Sequence, residues 1–174
     1  VTTYGSSETA GGCVYNGTPL PGTEVRIGED NRIFLGGPTI AQGYRNVESR
    51  DFVGGWFATS DAGELDAHGQ LTVTGRLDSI INSGGLKLHP EQLEQLLLQV
   101  PGVDSVCVVG IPDPRLGQMI AAAYTGWASR TDILEAFDDL PRWQIPREII
   151  RIAEMPLTGP GKVDRRGVAG LFKN

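Results

Sequence analysis

The feature that most constrains this chain is a change of hydrophobic period at Gly75–Arg76–Leu77–Asp78. Before it, short β-forming runs alternate with turn residues and no helical period appears. Thr23–Ile27 and Arg32–Leu35 read as strands joined by a turn at Gly28–Asn31, and Phe52–Phe57 and Leu71–Thr74 as two more, the last following the turn Asp66–Gly69. After it, Leu93, Leu96, Leu97 and Val100 fall at i, i+3, i+4 and i+7 and predict a helix over Pro90–Val100. Pro90 suits a first helical position, Glu91 the positive end of the dipole, and Pro101–Gly102 a stop. Val103–Gly110, Met119–Thr125 and Glu148–Ile152 read as strands. Ser129 to Asp132 carries a capping pattern before a short helix with Ile133, Phe137 and Leu140. The expected fold class is α+β: a small all-β piece over 1–75, a hinge at 76–78, and a compact α+β unit over 79–174 with a three-stranded sheet and helices. A chain of 174 residues accommodates two such pieces.

Composition excludes several classes. Fifteen Lys and Arg against 21 Asp and Glu give a formal net charge of −6, and no basic run stands out, which argues against nucleic-acid binding. The longest apolar stretches, Val106–Val109 and Ile120–Tyr124, are too short to span a bilayer, and no secretory signal is visible. Cys13 and Cys107 cannot make a multi-bridge framework, which points to a reducing, cytoplasmic setting; Cys107 reads as a small buried hydrophobe. His68 and His89 share no ligand spacing with the cysteines, so no structural zinc site is expected. The chain enters directly at Val1–Thr2–Thr3–Tyr4 and reads like the middle of something longer. Scattered Leu and Trp residues suit core or interface equally and leave a homo-oligomer open.

Four segments look chemically specialised. Tyr4–Gly5–Ser6–Ser7–Glu8–Thr9 combines an aromatic ring, hydroxyls and a carboxylate that can stack a base, bond phosphate oxygens and hold a hard cation, although a solvated polar turn reads the same. In Trp56–Glu64, Asp61 offers several lone pairs in one plane to a ribose diol; an ordinary Asp-x-Gly turn is the plainer reading. Gly75–Lys87 pairs Arg76 with Asp78 and carries Ser83–Gly84–Gly85, where a backbone can approach a ligand closely; the alternative is a glycine hairpin with a surface ion pair. Pro156–Arg165 places Lys162 on a glycine-flanked loop. It is no P-loop, since the glycine spacing is wrong and Val163 replaces the needed Ser/Thr, and a lysine there is commonly just solvated.

The order and spacing of the four segments resemble the C-terminal half of the adenylate-forming superfamily of acyl- and aryl-CoA ligases, luciferases and peptide-synthetase adenylation domains. Tyr4–Glu8 is similar to its Tyr-Gly-x-Thr-Glu motif with Ser7 for Thr. Ser60–Asp61 is similar to Thr-Gly-Asp with the glycine absent, which leaves that segment's backbone shape open. Gly75–Asp78 resembles the Gly-Arg-x-Asp hinge and Pro156–Lys162 the closing Pro-x4-Gly-Lys. Ser83–Gly84–Gly85 with Lys87, Glu91 and Glu94 looks like the CoA-ligase version of its loop, and Ser7–Gly17 is similar to o-succinylbenzoate–CoA ligases of menaquinone synthesis.

The resemblance implies two half-reactions in one site: adenylation of a carboxylic acid by Mg-ATP, then displacement of AMP by the thiol of coenzyme A. It assigns Tyr4 to the adenine, Ser7 to a phosphate oxygen, Glu8 to magnesium, Asp61 to the ribose hydroxyls and Arg76 to the nucleotide. Lys162 becomes the catalytic cation on the α-phosphate, Asp78 the hinge, and Ser83, Gly84, Gly85 and Lys87 the coenzyme A passage. The implied partners are ATP, Mg²⁺, coenzyme A and a small carboxylic acid, with o-succinylbenzoate the candidate. The family's phosphate-binding loop and most of its acid pocket precede the Tyr4 motif, so this chain alone is expected to be inactive. Three other readings stay open: another aryl- or acyl-CoA synthetase, transfer to a carrier-protein phosphopantetheine, and a non-catalytic binding module.

Overall fold

The computed structural model describes residues 1–159 and 161–172 and divides into two compact units, Val1–Asp78 and Ser79–Asn174. The first is built from antiparallel strands. Strands β1 (Thr3–Ser6), β2 (Gly11–Tyr15) and β3 (Thr18–Pro19) form one sheet in that order. In the second, β4 (Glu24–Ile27), β5 (Arg32–Gly36), β7 (Trp56–Leu65) and β6 (Phe52–Val53) lie side by side, and β8 (Leu71–Arg76) also pairs with β7. The alternation read in the sequence sends Ile33 and Leu35 inward, where they pack with Cys13, Val14 and Leu71. On the other face the Arg26 guanidinium lies over the rings of Phe34 and Trp56, 4.7 and 4.6 Å from their centroids.

Two expectations for this unit need correction. Phe52–Phe57 is not one strand but two, β6 and the start of β7, because Gly54 and Gly55 take φ of 59° and 81° and fold the chain back on itself. Nor does Asp61 sit in an Asp-x-Gly turn: it lies in mid-strand in β7, paired in register with Arg76. Its backbone N–H is bonded by Thr59 Oγ1 at 3.1 Å, and Ser60 points to solvent, so the missing glycine leaves an ordinary extended strand.

In the second unit, β9 (Ile81–Ser83) and β10 (Leu86–Leu88) precede α1 (Pro90–Leu97). Then follow β11 (Val103–Asp113), β12 (Gly117–Gly126), α2 (Arg130–Glu135), β13 (Glu148–Arg151) and α3 (Arg165–Gly170). The three strands expected from the sequence are all present, and β9 and β10 bring the sheet to five, ordered β10-β9-β12-β11 with β13 parallel to β12. The extra pair arises from Ser83–Gly84–Gly85: Gly84 and Gly85, at φ 62° and 86°, make a two-residue hairpin whose twist matches the strands. Helix α1 ends at Leu97, three residues before the end of its apolar stripe, and α2 carries the expected box, with Ser129 Oγ accepting from Asp132 N and Asp132 Oδ2 from Ser129 N.

The continuous apolar runs of β11 and β12 have a direct cause: both faces of the sheet are covered. Val106, Val108, Ile120, Ala122 and Tyr124 pack with Leu93 and Leu97 of α1 and Ile133 of α2. Cys107, Val109, Ala121 and Ala123 meet Met155 and Val168 of α3. Burying a side chain such as Leu97 contributes about 1.5–3 kcal/mol. Phe137, just past α2 and 1% exposed, is among the largest buried side chains. Phe137→Ala is expected to cost about 3–5 kcal/mol, read as a lowered denaturant midpoint; a loss under about 1 kcal/mol would show that this cluster does not depend on it.

Candidate active site

In the first unit the structure gathers four residues that the sequence only spaced. The Tyr4 hydroxyl donates to Asp61 Oδ2 at 2.8 Å, and Arg76 Nη1 reaches Asp61 Oδ1 at 3.5 Å. Arg76 also grips Asp78 in a fork, Nε to Oδ1 at 2.9 Å and Nη2 to Oδ2 at 2.8 Å. The register of β7 on β8 produces this by setting Asp61 opposite Arg76. Asp61 keeps 22% of its side chain exposed, so a carboxylate with lone pairs to spare remains within reach of solvent. Burial, with the Asp61 carboxylate close by, raises the Tyr4 phenol above its ordinary value. Tyr4 therefore stays a donor at neutral pH. Its hydroxyl is spoken for, which adds an orienting bond to the ring surface read from the sequence.

A second pair was not anticipated. Tyr44, 36 residues from Glu8, donates its hydroxyl to Glu8 Oε1 at 2.9 Å, while Ala41 N bonds the Glu8 carbonyl at 2.8 Å. The Tyr44 ring meets Phe52 edge-on at 5.2 Å, and Phe52 stacks on Phe57 at 5.0 Å, which fixes the phenol's direction. The neighbouring Ser6 hydroxyl, Glu8's own backbone N–H and the Tyr44 phenol hold the Glu8 carboxyl below its usual range. Ser7 is exposed beside it. No cluster of three metal-ligating side chains exists among the described residues. A lone carboxylate nonetheless fits magnesium, which keeps waters and substrate phosphates as its other ligands. A cleft of about 610 Å³ on this unit shares Tyr4 with this group and is otherwise lined by Thr3, Asn16, Asp66, Gln70 and Thr72 among others; Asp61, Arg76 and Glu8 do not line it.

In the second unit Lys162 is exposed and forms no ion pair among the described residues. Its loop is nevertheless ordered by bonds from Thr158 N to the Lys162 carbonyl at 2.7 Å and from Gly161 N to the Thr158 carbonyl at 2.8 Å, with Leu157 bridging Val163. Pro160 lies outside the described residues. Ser83, Gly84 and Gly85 form the β9–β10 turn, bonded through Gly84 N to the Leu116 carbonyl at 2.9 Å, and Lys87 is exposed on β10. Burial pushes the Cys107 thiol up to about 12, so it stays a neutral core group as the sequence suggested.

Comparison with known proteins gives this geometry a lineage. Residues 92–162 match the AMP-binding enzyme C-terminal domain. A probable 2-succinylbenzoate–CoA ligase of Mycobacterium tuberculosis is 42% identical over 99% of this chain and 48% of its own length. The chain belongs to the adenylate-forming superfamily. A 2-succinylbenzoate–CoA ligase of Salmonella typhimurium is 37% identical over 87% of this chain and 34% of its own length. The o-succinylbenzoate CoA synthetase of Bacillus subtilis, solved with its acyl-adenylate intermediate, has a TM-score of 0.87 at 27% identity over 95% of this chain and 40% of that one. An amide bond synthetase of Marinactinospora thermotolerans has a TM-score of 0.86 at 25% identity over 98% of this chain and 42% of its own. The chain thus spans about half the length of the Mycobacterium relative and about a third of the Salmonella one. No described helix is long and apolar enough to cross a membrane.

Tyr44→Phe removes one of the donors that keep Glu8 ionised. The Glu8 carboxyl is expected to titrate at higher pH in the variant than in the parent, followed by carbon-detected NMR of the side chain; an unchanged midpoint would show that Tyr44 does not tune it.

Proposed function

We propose that this chain supplies the nucleotide-holding and lid residues of an ATP-dependent acid–CoA ligase whose acid is o-succinylbenzoate, acting in the cytoplasm. The observation that carries the reading is Lys162: an exposed ammonium with no ion pair among the described residues, its carbonyl bonded by Thr158 N, a cation available to a ligand rather than committed to a described carboxylate. The substrate follows the names of the ligases this chain is similar to along most of its length.

In the first half-reaction an oxygen of the acid attacks the α-phosphorus of ATP, the bond to the β-phosphate oxygen breaks, and pyrophosphate leaves. Negative charge accumulates on the oxygens around the α-phosphorus, and Lys162 neutralises it as a compact point charge. Asp61, held by Tyr4 and Arg76, accepts from both ribose hydroxyls, with the Tyr4 ring against adenine and the Ser7 hydroxyl on a phosphate oxygen. Glu8 is the protein ligand to the magnesium that travels with ATP, which screens the phosphate charge. In the second half-reaction the coenzyme A sulfur attacks the acyl carbon, the bond to AMP breaks and the thiol proton is released. The hairpin of Ser83, Gly84, Gly85 and Lys87 lines the thiol's approach, and the chain reorients about Asp78 between the steps.

A complete enzyme carrying residues 1–174, given ATP, Mg²⁺, coenzyme A and o-succinylbenzoate beside benzoate and medium-chain acids, is expected to form only the o-succinylbenzoyl thioester, read by mass spectrometry. Thioesters of other acids alone would keep the chemistry and discard the substrate. In the same enzyme Lys162→Ala is expected to lower adenylate formation by on the order of 10²–10³-fold while sparing thioester formation from preformed adenylate. Equal loss of both steps would remove Lys162 from its assigned role.

A further inference from the structure

In the second unit a guanidinium lies three residues beyond Lys162. Arg165, the first residue of α3, sends Nη1 to Glu94 Oε1 at 2.6 Å and Nη2 to Glu94 Oε2 at 2.9 Å, a two-pronged pair across 71 residues of sequence. Nη2 also reaches Glu91 Oε1 at 3.3 Å, and Nη1 donates to the Val108 carbonyl at 2.9 Å. Glu94 closes the circuit by accepting from Val108 N at 2.8 Å. Strand β11 is at the sheet's edge among the described residues, where the outward N–H and C=O of Val108 meet no neighbouring strand. Glu94 and Arg165 satisfy them as a strand would. The group is shielded, with 34% of Arg165, 15% of Glu94 and 23% of Glu91 exposed.

This circuit is connected in two directions. Towards the C-terminus it fixes the stem of the Lys162 loop. Helix α3 has six residues, too few to persist without tertiary contacts, and is held by Arg165 on one side and the buried Val168 on the other. Asp164 accepts from the N–H groups of Arg166 and Gly167 at 3.1 and 3.0 Å, while its own N–H donates to the Pro156 carbonyl at 2.8 Å. Both ends of the loop are thereby gathered at Asp164 and Arg165. Three residues of extended chain reach at most about 10 Å, so this anchor confines Lys162 to a small volume. In the other direction Ser79 Oγ donates to Glu91 Oε1 at 2.8 Å, so the circuit also holds the first residue after Asp78.

We propose that Arg165 is a positioning residue for Lys162: with Glu94 and Glu91 it braces the loop carrying the lysine to the segment leading out of Asp78, so that the ammonium moves with that segment as one rigid body. This rests on the assignment of Lys162 to adenylation. A lysine cannot replace Arg165, because the bidentate grip on Glu94 and the bond to Val108 need a planar fork. A misplacement near 1 Å can cost a reaction on the order of 100-fold, which sets the expected scale.

Two readouts test it. In the 174-residue chain, Arg165→Met is expected to speed amide hydrogen exchange at Thr158, Gly161 and Asp164 by about tenfold or more, while Cys107 and Val109 in the β11–β12 ladder keep their protection. Glu94→Gln, which keeps the shape and removes the charge, is expected to do the same less strongly, and it decides the matter if Arg165→Met does not fold. In a complete enzyme carrying residues 1–174, Arg165→Met is expected to lower kcat for adenylate formation on the order of 100-fold with little change in KM for ATP. Thioester formation from preformed adenylate is expected to be spared, and Arg165→Lys to recover only part of the loss. Unchanged exchange at the loop, or equal loss of both half-reactions, overturns the proposal. Should Lys162→Ala leave adenylation intact, the assignment of Lys162 fails, while hydrogen exchange still reports whether Arg165 braces the loop.

Discussion

The second unit depends on the antiparallel ladder between β11 and β12, which runs from Val103 opposite Gly126 to Asp113 opposite Gly117. Its residues are apolar on both faces, so neither face can be left to water, and each needs its own cover. Helices α1 and α2 cover one face. The other is covered by Met155 and Val168, and the chain that delivers Val168 passes through Lys162 on the way. The position of the proposed catalytic loop is thus a by-product of closing a hydrophobic sheet. Because β11 is an edge strand, the closure also calls for side chains that bond its outward backbone groups, a need met by Glu94 and Arg165.

The first unit solves a different problem, that of presenting anionic groups without collapsing them onto cations. Asp61 is held by a neutral phenol and by one prong of an arginine whose main grip is on Asp78. Exposed pairs of this kind contribute little to stability, with a median of about 0–1 kcal/mol, so orientation is the larger consequence. Glu8 is treated alike: Tyr44, itself wedged against Phe52, aims a neutral hydroxyl at Oε1. Both arrangements suit carboxylates proposed to meet a ribose and a metal ion.

Much of the fold was legible in the residues. The apolar stripe of α1, the capping pair Ser129 and Asp132, and the turn at Gly28–Asn31 follow local rules in which spacing alone is informative. The misreadings also have local causes. Phe52–Phe57 looked like one strand because its apolar residues outweighed Gly54–Gly55, whereas the glycine hairpin offered as the alternative for Ser83–Gly84–Gly85 is the one that forms, because two adjacent glycines permit a two-residue turn. Helix α3 was missed because six residues give no period to count, although Asp164 as a cap was a signal available in advance. Of the site, the motif residues themselves could be named from the sequence; Tyr44 and Thr59 could not, since a tyrosine in a polar stretch and a threonine in a strand announce nothing.

What the sequence determined by itself is the division near Asp78, the all-β and α+β character of the two units, and the ordered motifs that identify the superfamily. These are properties of spacing along the chain. What only the tertiary structure decided is which groups meet: Tyr4 with Asp61 across 57 residues, Tyr44 with Glu8 across 36, and Arg165 with Glu94 across 71. Such contacts carry no local period, because the partners of a charged side chain are set by strand register and by the packing of elements distant in sequence. A lysine on a glycine-flanked loop reads the same in sequence whatever surrounds it; the bonds from Thr158 N to the Lys162 carbonyl and from Gly161 N to the Thr158 carbonyl exist only in the folded chain.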